Sequence, residues 1–167
     1  ACPEDLELMM YRYAVEYLNA AGYKQYEISN FARPGRECAH NLVYWLNKPY
    51  LGLGPGAHSF IGGERFSNVT ALDRYSECLS GGEFPVEARD KLTVEDEMAE
   101  TMFLGLRLTA GVDLNLFHRR FGRRAEDIYL REIEGLLKNG LVEINEGFLR
   151  LSGKGLPLAN VVFREFV

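Results

Sequence analysis

The chain has few cysteines, no excess of positive charge and no long apolar run. Its 167 residues hold three cysteines, Cys2, Cys38 and Cys78. An odd, widely spaced set supplies neither a disulfide framework nor a zinc ribbon, and it fits a reducing compartment. Nineteen Lys and Arg stand against 24 Asp and Glu, a net charge of −5. Nucleic-acid binders carry a basic footprint, so no nucleic-acid partner is expected. No stretch approaches the roughly 18 apolar residues of a membrane span, and no basic-then-apolar leader opens the chain. The expectation is a cytoplasmic protein with no membrane span. What remains is ordinary globular composition, 47% hydrophobic and 26% charged, enough for one generous domain or two small ones.

Ser80-Gly81-Gly82-Glu83-Phe84-Pro85 reads as a turn or linker and divides the chain into 1–88 and 89–167. In the first part Pro3, Glu4 and Asp5 suit a helix start. Leu6, Met10, Tyr13, Tyr17 and Leu18 recur at helical spacing as its apolar row, and Gly22 is a natural stop. Tyr23 to Phe31 is rich in β formers and reads as a strand. A helix followed closely by a strand is the repeat unit of a parallel α/β sheet. Residues 71–79 suit a short helix. In the second part Thr93 caps a helix, with Asp96 three residues on, and Met98, Met102 and Leu106 form its apolar row before Gly111. Asp113 caps a second helix ending at Phe121. Ala125 to Lys138 reads as a third, with Tyr129, Ile133, Leu136 and Leu137 inward and Gly140 as stop. Leu141–Ile144 and Phe148–Leu151 flank Asn145-Glu146-Gly147, a hairpin signal. Ser152 caps a last helix through Val167. Three helices plus a hairpin predict a mainly helical, winged-helix-like domain.

Three features bear on chemistry. His40, Asn41, Tyr44 and Trp45 form H-N-x-x-Y-W. An imidazole can ligate haem iron axially while aromatic rings meet the macrocycle; the same residues also suit a histidine satisfied by backbone over packed rings. Leu51 to Ser59 alternates glycine with small or apolar residues, as in an anion cradle or a tightly packed buried strand. Cys38-x-His40 with a distant His58 or Cys78 matches no common zinc spacing. Arg119, Arg120, Arg123 and Arg124 make a local basic cluster. It suits DNA contact in a winged helix, but in an acidic chain it reads better as a solvated face that complements a helix C-terminus.

Tyr26-Glu27-Ile28-Ser29-Asn30-Phe31-Ala32, Pro34-Gly35, His40-Asn41-x-x-Tyr44-Trp45 and Leu51-Gly52-Leu53-Gly54-x-Gly56-Ala57-His58-Ser59 resemble the HemW family. So do Gly105-Leu106-Arg107-Leu108, Gly111-Val112-Asp113, Phe121-Gly122, Gly140-Leu141 and Leu151-Ser152-x-Lys154-Gly155 in the second part. These are radical SAM proteins long described as oxygen-independent coproporphyrinogen III oxidases. The resemblance implies an α/β remnant of a partial (β/α) barrel over 1–88 and a HemW/HemN-type C-terminal domain over 89–167.

Radical SAM enzymes hold a 4Fe-4S cluster in a C-x-x-x-C-x-x-C loop. Here the cysteines lie 36 and 40 residues apart, so the cluster and S-adenosylmethionine are expected only in a longer, full-length protein. This portion is expected to carry no catalytic residues of its own. The resemblance further implies haem binding and delivery to haem-accepting proteins, with His40 as the metal ligand, Tyr44 and Trp45 as ring contacts and Asn41 orienting the imidazole. Gly54, Gly56 and His58 are secondary cofactor-binding candidates near a barrel mouth. The other reading is part of an oxidase that decarboxylates coproporphyrinogen III, and a weaker one is a winged-helix nucleic-acid module. A barrel remnant leaves apolar sheet edges uncovered, which predicts self-association.

Overall fold

The computed structural model describes residues 2–167, as a mixed α/β chain of eight α-helices and three small antiparallel sheets among those residues. None of its helices is long and apolar enough to cross a membrane. Helix α1 (Glu4–Ala20) starts after Pro3 with Glu4, Asp5 and Glu7 at its positive end. The half-buried stripe is Leu8, Tyr11, Val15 and Leu18, whereas Leu6, Met10, Tyr13 and Tyr17 are exposed. Two apolar stripes at helical spacing run along α1, and the expected inward row is mostly the outer one.

The parallel-sheet expectation for residues 23–31 is corrected. Strand β1 (Lys24–Gln25) turns back onto β2 (Phe31–Ala32), pairing Lys24 with Ala32 and Gln25 with Phe31. The reversal is driven by Glu27, whose Oε1 accepts from the Ser29 amide at 2.9 Å and from Asn30 Nδ2 at 2.6 Å. A side chain that offers the backbone a local acceptor competes with ladder formation and bends the chain. Residues 26–28 pair instead with the segment after α4: the Ile28 amide donates to the Arg107 carbonyl at 3.0 Å and the Thr109 amide to the Tyr26 carbonyl at 3.1 Å.

Helix α2 (Ala39–Trp45) follows, then an irregular glycine segment. Strands β3 (His58–Ile61), β4 (Glu64–Asn68) and β5 (Val86–Lys91) form an antiparallel meander, with α3 (Leu72–Ser80) between the last two. The segment 51–57 is therefore a loop rather than the buried strand that glycine packing suggested. β5 runs through residues 88 and 89, and its pairing with β4 ties it to the sheet of the first part.

The second part begins at α4 (Val94–Gly105), where Thr93 and Asp96 form a reciprocal capping box. β6 (Val112–Asp113) leads into α5 (Leu114–Phe121), capped by the Asp113 carboxylate on the Leu116 amide at 2.8 Å. The helix expected over 125–138 is two: α6 (Ala125–Ile128) and α7 (Leu130–Lys138), broken at Tyr129, whose ψ is 35°. Ile133 and Leu136 face inward as expected; Leu137, at 37% exposure, does not. β7 (Val142–Asn145) and β8 (Phe148–Leu151) close a hairpin, with β6 as a third strand in the order β6-β8-β7. Glu146 and Gly147 both carry positive φ, as a two-residue type I′ turn requires. The last helix expected from Ser152 is interrupted by Pro157: a 3-10 turn (Leu156–Leu158) precedes α8 (Ala159–Arg164). The core lies in this part, where Met98, Met102, Leu106, Phe117, Leu149 and Val162 are buried against one another.

Candidate functional site

Helix α2 carries the H-N-x-x-Y-W residues, and helical geometry already separates them. At about 100° per residue, Tyr44 lies roughly 40° around the helix from His40, and Trp45 roughly 140° from it. The structure follows this arithmetic. His40 is exposed in the first turn, and its ring meets Tyr44 edge-on, with centroids 4.9 Å apart. Tyr44 meets Tyr50 at 4.6 Å. Tyr50 exchanges two backbone hydrogen bonds with Phe60 of β3, at 2.8 and 2.9 Å. A ladder of rings thus runs from an open imidazole to the edge of the β3-β4-β5 sheet.

Asn41 and Trp45 leave in other directions. The Asn41 amide donates to the Tyr26 hydroxyl at 3.2 Å. Trp45 faces the second part, with the Arg107 guanidinium carbon 4.2 Å above its ring centroid. Arg107 Nη2 lies 3.4 Å from Oε2 of Glu27, whose side chain is fully buried. Below Trp45 the chain is locked again. Asn47, at φ 45°, donates to Thr101 Oγ1 at 3.2 Å, and its carbonyl accepts from Arg120 Nη1 at 2.9 Å. Trp45, Thr101, Leu108, Val112, Phe117 and Arg120 line part of an apolar cleft of about 220 Å³ between α2 and the C-terminal part.

The glycine loop keeps its polar groups to itself. The Gly54 amide donates to the Tyr75 hydroxyl at 3.1 Å and the Gly56 amide to the Val69 carbonyl at 3.0 Å. Asn68 Nδ2 reaches the Gly52 and Gly54 carbonyls at 3.3 and 2.9 Å. An anion cradle needs amides that point at a guest, and the amides of Gly54 and Gly56 are already engaged. A Cβ at Gly52 would run into the His58 carbonyl, so glycine there serves close packing. His58 is exposed on β3, opposite Ser67 and two residues from Phe60.

The remaining candidates separate as well. Cys2 and Cys38 are exposed, Cys78 is half-buried, and all three are free thiols. Among the described residues no three His, Cys, Asp or Glu side chains gather as a metal set. In the basic cluster, Arg120 pairs with Glu97 and Arg124 with Glu126, each at 2.9 Å. No local sequence pattern ties Glu27 to Arg107. The two residues stand 80 positions apart, and the one signal was a glutamate inside an otherwise strand-like Tyr26–Ala32 run.

Comparison with known proteins gives the family. Residues 92–158 match the HemN C-terminal domain. The chain is 39% identical over 165 residues to the heme chaperone HemW of Bacillus subtilis, covering 99% of this chain and 44% of that protein. It is 34% identical over 167 residues to the heme chaperone HemW of Lactococcus lactis, covering 98% and 43%. A mitochondrial radical S-adenosyl methionine domain-containing protein 1 of Mus musculus is 32% identical, with coverage of 92% and 37%. Among solved structures, the coproporphyrinogen III oxidase HemN of Escherichia coli, described as a radical SAM enzyme, superposes with a TM-score of 0.71. That match covers 95% of this chain and 40% of the other at 21% identity, and it shows the shared fold. The chain spans less than half the length of these relatives. Over the portion it shares with them, it belongs to the HemW-type family of radical SAM proteins.

Proposed function

We propose that this chain is the haem-contacting portion of a HemW-like protein that binds haem in the cytoplasm and passes it to haem-accepting proteins, with His40 as the axial ligand. The observation that carries the reading is the exposure of His40 in the first turn of α2, its ring held edge-on by Tyr44. A neutral imidazole free at one nitrogen is a ready iron ligand. A phenol beside it offers the macrocycle an aromatic neighbour. The relatives named heme chaperones supply the expectation of delivery.

The iron–sulfur cluster and S-adenosylmethionine belong to the remainder of a full-length protein. Three free cysteines with no metal-ligating set of three among the described residues do not fit a cluster on this chain, so no radical step is assigned to its residues. Oxidative decarboxylation of coproporphyrinogen III is the second reading, favoured by likeness to HemN in fold.

Haemin titration followed at the Soret band tests the first reading. The wild-type chain is expected to shift the band, and His40→Ala to weaken binding by about tenfold or more, the loss of one metal–ligand contact. An unchanged isotherm in His40→Ala removes His40 as the ligand.

A further inference from the structure

We infer that Trp45 is a positioning residue: through Arg107 and Glu27 it anchors α2 to the C-terminal part and so sets the direction in which His40 is presented, without itself touching the ligand. This rests on the reading of His40 as haem ligand.

A flat macrocycle coordinated by His40 lies across the side of α2 that carries His40 and Tyr44. Trp45 is roughly 140° away around the helix, and its indole faces Arg107, from a residue beyond the end of α4. One planar guest cannot coordinate the imidazole and stack on that indole together.

One face of the indole is already in use. Arg107 sits 4.2 Å over it and also supplies the countercharge of Glu27, a carboxylate with no solvent exposure. Glu27 Oε1 is held by Ser29 and Asn30, leaving Oε2 towards Arg107. Drawing Arg107 off the indole to admit a guest would strand a buried charge. The base under this stack is stiff, because the Ile28 amide donates to the Arg107 carbonyl and the Thr109 amide to the Tyr26 carbonyl.

Seven residues make α2 about 10 Å long. Its C-terminal end is fixed by the Arg107 stack and by Asn47, which bonds Thr101 and accepts from Arg120. Its N-terminal end has no side-chain cap, and Cys38 and His40 there are exposed. The aim of the imidazole is therefore set from the far end of the helix.

Haemin titrations of the whole chain, with circular dichroism to confirm folding, separate the possibilities. Trp45→Phe keeps a face for the guanidinium and removes an indole N–H that is buried without a partner, so haemin affinity should stay within about twofold and the Soret maximum unchanged. Arg107→Met and Trp45→Ala should each weaken binding by roughly tenfold, the scale of a partly desolvated cation–π contact, and the double variant should be no worse than either. In a His40→Ala background, Arg107→Met should change nothing further. Trp45 is the chain's one tryptophan, so its emission should shift to the red in Arg107→Met. If Trp45→Phe costs as much as His40→Ala while Arg107→Met is inert, the indole is a ligand surface and the inference is overturned. Wild-type affinity in both Trp45→Ala and Arg107→Met overturns it too. Wild-type affinity in His40→Ala refutes the underlying reading instead. Should Arg107→Met fail to fold, the two Trp45 variants, which leave the Glu27–Arg107 pair intact, decide the matter.

Discussion

Glu27 is the residue on which the first part turns. Its carboxylate is fully buried, accepts from a backbone amide and a side-chain amide, and faces one guanidinium. Glu27→Ala strips the acceptor from the Ser29 and Asn30 donors and the countercharge from Arg107. A loss of about 2–3 kcal/mol is expected, the scale of hydrogen bonds to a charged group, and urea denaturation measures it. A midpoint equal to wild type would show that the turn holds without the carboxylate. The acidic end of α4 gives a pH signature. Hydrogen bonds from the Thr93 hydroxyl, then from its amide, hold the Asp96 carboxylate below the ordinary Asp range. A folded pKa below the unfolded one adds stability that is present above the unfolded value, about 3.9, and is lost as pH falls through the folded one. Thr93→Ala should lower Tm near neutrality, and the gap to wild type should narrow as pH falls from about 3.9 through the folded value, leaving the constant part that the Asp96 amide loses with the Thr93 hydroxyl; a gap of unchanged size from about pH 7 to about pH 2 would rule this out. At this scale the H-N-x-x-Y-W pattern was legible as a set of residue types, but the helix Ala39–Trp45 that sets His40 beside Tyr44 was not, because no periodic apolar row announces it. The partner of Glu27 was not, because nothing local ties position 27 to position 107.

Elements were legible where local chemistry was decisive and illegible where tertiary contacts overruled it. Glu146-Gly147 meets the demand of a two-residue turn for positive φ, and Thr93 with Asp96 announces a helix start, so β7, β8 and the start of α4 could be read directly. Residues 23–31 have the composition of a strand, yet they fold back because Glu27 bonds its own backbone and because residues 107–109 claim their hydrogen bonds. The break at Tyr129 follows packing rather than propensity: its ring lies against Phe166 at 5.3 Å, and no glycine or proline marks the site. Gly111 is the clearest element-scale test. It joins the segment after α4 to β6 at φ 83°, and a Cβ there would strike the Leu149 carbonyl and Arg150 of β8. Gly111→Ala should cost at least about 1–2 kcal/mol from the left-handed backbone alone, or several degrees of Tm for a chain of this size. An unchanged Tm would mean that β6 and β8 separate without penalty.

Across the whole molecule the apolar material is unevenly placed. The packed cluster belongs to residues 98–166, while α1 contributes no buried residue. Leu6, Met9, Met10, Tyr13 and Tyr17 of α1 are 46–68% exposed, and its inner stripe leaves a groove of about 540 Å³ against Leu156–Leu158. Five large apolar side chains on one helix exceed what a soluble monomer ordinarily leaves open. β1 is paired with β2 along one edge only, and the larger uncovered apolar surface is that of α1. The relatives are more than twice as long as this chain, and their further length can cover α1. In the chain alone, the available apolar partner is the same helix of a second copy, and like faces meeting across a two-fold axis form a closed dimer. Light scattering coupled to size exclusion should therefore show a mass that rises with concentration towards twice the monomer. Met10→Glu with Tyr13→Glu should return it to the monomer without changing the melting of the residue 98–166 core, because neither side chain packs into that core. A monomer at every concentration in the wild-type chain would mean that α1 is tolerated in water as it stands, and that the exposed stripe drives no association.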